Sequence, residues 1–75
     1  MDIVEQLYRA ARIFLWVSCT LTEDLEPQQA QVMKSRIAML EQSFSASFLE
    51  DDLPTMQTRI QDMIKLGDDL AGLIP

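Results

Sequence analysis

Apolar residues return at every third or fourth position along most of this chain, the period of an α-helix with one buried face. Ile3, Leu7, Ala10, Phe14, Val17 and Leu21 keep that spacing, and Val4, Tyr8, Ala11 and Leu15 run beside them as a second stripe. Together the stripes cover more than half of the helix circumference, wider than an amphipathic surface helix carries. The pattern predicts a first helix over residues 3–20. Asp2 stands at its N-cap with Glu5 three positions on, the spacing of a capping box.

Ala30, Met33, Ile37, Leu40 and Phe44 continue the same period and predict a second helix over residues 25–48. Thr22 is its candidate cap, Glu23, Asp24 and Glu26 suit the positive end of a helix, and Pro27 is permitted in a first turn. The segment Ser43–Phe48 alternates with period two, but one isolated strand has nothing to pair with. It is read as helix, with Phe44 and Phe48 stacked one turn apart. Leu53, Met56, Ile60, Met63, Gly67, Leu70 and Ile74 predict a third helix over residues 53–71, passing through Gly67 and stopping at Gly72.

Three helices joined by short connections predict an all-α fold, a single domain over residues 1–75. Its form is a small antiparallel three-helix bundle, or else an extended helical hairpin. A chain of 75 residues buries only about 60% of the surface its unfolded form exposes, so small domains lean on disulfides, metals or partners. The composition holds one cysteine, Cys19, and no histidine, which leaves association. The fold is therefore expected to be completed by oligomerisation or by a partner chain.

Composition narrows the chemistry further. Without histidine there is no Ser-His-Asp triad, Cys-His pair or zinc finger. Cys19 has no neighbouring lysine or histidine to activate it, and reads as a small filler at the edge of the buried arc. The acidic pairs Glu23/Asp24, Asp51/Asp52 and Asp68/Asp69 point about 100° apart on a helix, so they converge on no common atom. They also lack the alternating ligands of a calcium loop. The expectation is no enzyme, no metal, no cofactor and no small-molecule substrate. Six basic against twelve acidic residues give a net charge of −6, which argues against a nucleic-acid partner. The acidic residues gather at the helix starts, where backbone N–H groups favour them, rather than in rows resembling a phosphate backbone.

No apolar run reaches the roughly 20 residues a bilayer span needs. Trp16-Val17-Ser18-Cys19 resembles the end of a lipoprotein signal, but Trp16 is bulky where that signal takes a medium aliphatic residue. The expected location is cytoplasmic.

One anomaly points toward function. On the first helix Ile13 and Trp16 fall on the polar side, among Glu5, Gln6, Arg9 and Arg12. Trp16 follows Arg12 by four residues, the spacing of a cation–π pair within one helix. Equally, tryptophan and arginine are over-represented as interface anchors. The run Ile13-Phe14-Leu15-Trp16-Val17 is apolar all round, more than two companion helices can cover. The expected partner-binding residues are Arg12, Ile13, Trp16 and Val17, with the apolar end Leu73 and Ile74 as a second candidate. The function expected is a small protein–protein interaction module: an adaptor, inhibitor or chaperone-like subunit. Its partner is another protein or a second copy in a homodimer. The alternative is a peripheral membrane protein lying on its first helix, poorer because Arg9 and Arg12 are offset by Asp2 and Glu5.

Overall fold

The computed structural model describes residues 2–74. Helix α1 runs Ile3–Leu21, α2 runs Pro27–Leu49 and α3 runs Leu53–Leu73, with a single 3₁₀ turn at Thr22–Asp24 between the first two. All three helices pack against one another. The arrangement is therefore a three-helix bundle and not the extended hairpin. Successive helices are antiparallel, so α1 and α3 lie side by side in parallel. The bundle measures 38 × 19 × 15 Å, its length set by helices of about 30 Å at 1.5 Å per residue.

The helix ends follow from specific residues. The Asp2 carboxylate accepts from the Val4 backbone N–H at 3.2 Å, a cap for one of the open donors of the first turn. Glu5 does not return the bond as a capping box would. It pairs instead with Arg9 one turn on, Oε1 to Nη2 at 3.6 Å. Thr22 closes α1 rather than opening α2: its hydroxyl donates to the Cys19 carbonyl at 2.6 Å and the residue is almost fully buried. Helix α2 starts two residues later than the periodicity predicts. Leu25 and Glu26 are extended and Pro27 occupies the first turn, because a proline ring crowds the residue before it out of helical geometry.

The reversal between α2 and α3 is tighter. Asp51 takes a left-handed conformation, φ 57°. Its N–H bonds the Phe48 carbonyl at 3.2 Å and the Asp52 N–H bonds that of Ser47 at 2.9 Å. Those two bonds are the Schellman pattern, which satisfies carbonyls that α2 leaves open. Asp52 then caps α3, its carboxylate accepting from the Thr55 N–H at 3.3 Å and the Thr55 hydroxyl at 2.6 Å. The adjacent acids Asp51 and Asp52 thus divide the end of one helix and the start of the next. At the far end α3 runs through Gly72 to Leu73, two residues beyond the expected end at residue 71.

The core has two layers. Ala11, Phe44, Met56, Ile60 and Met63 form one, flanked by Val4, Leu7, Tyr8, Phe14 and Phe48. Met33, Ile37, Leu66 and Leu70 form the other, flanked by Leu21, Leu25 and Leu73. Leu66 takes the buried place that the periodicity gives to Gly67. Gly67 is only half-buried, and a Cβ built on it meets nothing within 4 Å. Phe48 does not stack on Phe44. It crosses to Tyr8 of α1, with ring centroids 4.7 Å apart, while Phe44 is buried in the first core layer. On α1 the most deeply buried positions are Ala11 and Ser18, with Thr22 just past its end, small residues that let the helix sit close to its neighbours.

Candidate interaction surface on the first helix

At 100° per residue, Arg9, Trp16, Val17 and Thr20 all project within about 60° of Ile13. The bundle faces the opposite side of α1 through Val4, Tyr8, Ala11, Leu15 and Ser18. The consequence is an apolar ridge left in solvent: Trp16 is 70% exposed, Ile13 62% and Val17 41%. Ile13 and Val17 also form one wall of a shallow groove between α1 and α3. Phe14, Ser18 and Leu21 continue it on one side, with Met63, Ile64, Gly67 and Asp68 on the other. Ile64 adds a further exposed apolar side chain, 42% accessible.

The groove follows from the two parallel helices. Each turns its core residues toward α2, so their outer flanks diverge and leave a furrow with an apolar floor. Gly67 opens that furrow on the α3 side, where any larger residue would narrow it. Exposed apolar side chains scattered singly are ordinary, but a contiguous set on one face of a small protein is not.

Arg12 lies apart from this face. Its guanidinium carbon is 5.7 Å from the Tyr8 ring centroid and Nη1 donates to the Tyr8 hydroxyl at 3.2 Å. The cation–π partner of Arg12 is therefore Tyr8, at the i−4 position, and not Trp16 at i+4. Trp16 shares with Arg12 a separate dip between α1 and α2, lined also by Tyr8, Leu15, Cys19 and Glu41. Cys19 is exposed there and does not fill the buried arc, because Ser18 takes the inward position beside it.

The other apolar candidate belongs to the bundle. Leu73 ends α3 and packs against the second core layer, beside Val32 and Met33 of α2. Ile74 is half-buried and its N–H bonds the Leu70 carbonyl at 3.2 Å. Neither joins the ridge around Trp16.

The charged groups cluster elsewhere. Arg36, Arg59 and Lys65 gather in a groove between α2 and α3 with Met39, Leu40 and Ser43. Two of those cations are already answered: Arg36 Nη1 lies 3.1 Å from Asp69, and Arg59 Nη1 lies 2.9 Å from Asp62. Among the described residues no three carboxylate or thiol side chains converge as a metal would need. Among them, too, no helix is long and apolar enough to cross a membrane. Comparison with protein-family models, curated proteins and solved structures finds no significant match to this chain.

Proposed function

We propose that this protein is a small interaction module whose working surface is the exposed ridge of α1 and the furrow beside it. The observation that carries this reading is the placement of Ile13 and Trp16, both largely in solvent, beside the partly exposed Val17, on a helix whose opposite face is already packed. Burying such a set against a partner gains about 25 cal/mol per Å² of apolar surface, and an exposed tryptophan is the side chain with most to give. The furrow beside it has the form that accepts an amphipathic helix. A module of this kind acts by occupying a surface on its partner, as an adaptor, an inhibitor or a chaperone-like subunit does.

The test separates binding from folding. Trp16→Ala should leave the helical circular dichroism and the unfolding midpoint near those of the unaltered chain, since the indole supports little of the core. Association with the partner should weaken about thirtyfold, the loss typical of an interface anchor. A variant that unfolds without losing association would refute the proposal, as would one that associates as strongly as before.

A further inference from the structure

We infer that the groove between α2 and α3 is a docking site separate from the α1 surface, and that its occupant is an acidic peptide segment of a partner protein. Three of the chain's six basic residues line this groove, Arg36, Arg59 and Lys65, against one of its twelve acidic residues, Asp62. Six of the other acids sit in the two connections, at opposite ends of the bundle. In a molecule of net charge −6 the groove is thus a local excess of the opposite sign, set in a concavity that concentrates its field.

The cations keep donors to spare. Arg36 and Arg59 each commit only Nη1 to a carboxylate, that of Asp69 and of Asp62 respectively, whereas a guanidinium carries five N–H donors. Arg59 Nε is buried with no acceptor among the described residues. Lys65 is exposed and pairs with no described carboxylate. Both arginine pairs stay part-exposed, so an incoming carboxylate can share either guanidinium. Their placement selects a chain over a small ion. Lys65 stands six residues beyond Arg59 on α3, about 9 Å along the axis, and Arg36 reaches α3 at Asp69, about 6 Å further on. One phosphate or carboxylate cannot touch all three, but a segment with several acidic side chains can. Met39, 70% exposed, and the half-buried Leu40 line the same groove and give an aliphatic side chain of that segment a seat. A nucleic acid offers a comparable row of charges, but it has no such side chain, and the net charge repels a long polyanion.

The experiment is fluorescence anisotropy of a labelled, end-capped short peptide of glutamate with leucine at every third position, titrated with the full chain at low salt. The peptide should bind, and its glutamine counterpart should bind about tenfold more weakly or worse. Lys65→Glu should cost a similar factor while circular dichroism stays unchanged, since Lys65 is exposed and belongs to neither core layer. Met39→Ser should weaken binding about threefold through lost apolar contact and leave its salt dependence as it was. A glutamine peptide that binds as well as the glutamate one would overturn the inference, and so would binding indifferent to Lys65→Glu. Displacement of the peptide by an equal concentration of inorganic phosphate or of single-stranded oligothymidylate would overturn it too, in favour of a small-anion or nucleic-acid site. Self-association of the chain that Lys65→Glu abolishes would do the same, by seating a second copy's acidic connection in the groove.

Discussion

Asp51 holds a left-handed backbone that glycine adopts without cost and other residues adopt at up to about 1–2 kcal/mol. Its neighbour Asp52 supports α3 through two bonds to Thr55. Opposite outcomes are expected from the two positions. Asp51→Gly should raise stability by about 0.5–1 kcal/mol by relieving the left-handed strain at that turn. Asp52→Ala should lower it by about 1 kcal/mol through the lost cap. Urea unfolding followed by circular dichroism reads both as shifts in midpoint. From sequence the two are a pair of adjacent acids, and nothing in their order tells which one turns the chain and which one caps. The same limit applies to Arg12 and Phe48. Helical spacing offers each of them a partner on its own helix. Arg12 can be reached by an aromatic ring at either i−4 or i+4, and the bundle leaves the ring at i−4 in the better place. Phe48 finds its ring on another helix, a contact that no periodicity within α2 encodes.

At the scale of helices, period alone locates each element because the caps and Pro27 interrupt it at clear points. It does not tell which of two neighbouring stripes is innermost. On α3 the expected line runs through Gly67, whereas the bundle turns the helix slightly and buries Leu66, leaving the glycine at the rim. Two substitutions distinguish these placements. Leu66→Ala should cost about 2–5 kcal/mol, since Leu66 is fully buried between Met33, Ile37 and Leu70. Gly67→Ala should instead stabilise the monomer by about 0.5–1 kcal/mol, because it adds helix propensity and the new methyl meets no neighbour. Thermal unfolding followed by circular dichroism measures both. The α1 surface was more legible than the α3 core. Ile13 and Trp16 stand among charged residues on the helical wheel, so their exposure follows from sequence. The furrow does not, because it needs Ile64, Gly67 and Asp68 to come alongside from fifty residues away.

For the molecule as a whole, a compact monomer of 8.6 kDa has an accessible surface of about 4,700 Å². The chain exposes 5157 Å², an excess that follows from three long helices side by side. The connection from α2 to α3 also bears on how such a molecule assembles itself. Only Glu50, Asp51 and Asp52 separate those helices, so their closure costs little chain entropy and their contacts accumulate outward from the bend. The order of events that follows is a hairpin of the last two helices first and the leading helix laid onto it afterwards. Conservative substitutions around the bend should then slow folding, whereas those at Val4 or Leu7 should chiefly quicken unfolding, as stopped-flow rates would reveal. The helix that joins last is the one that bears the exposed apolar ridge of Ile13, Trp16 and Val17, so a loosened molecule would release that ridge before it gave up its scaffold.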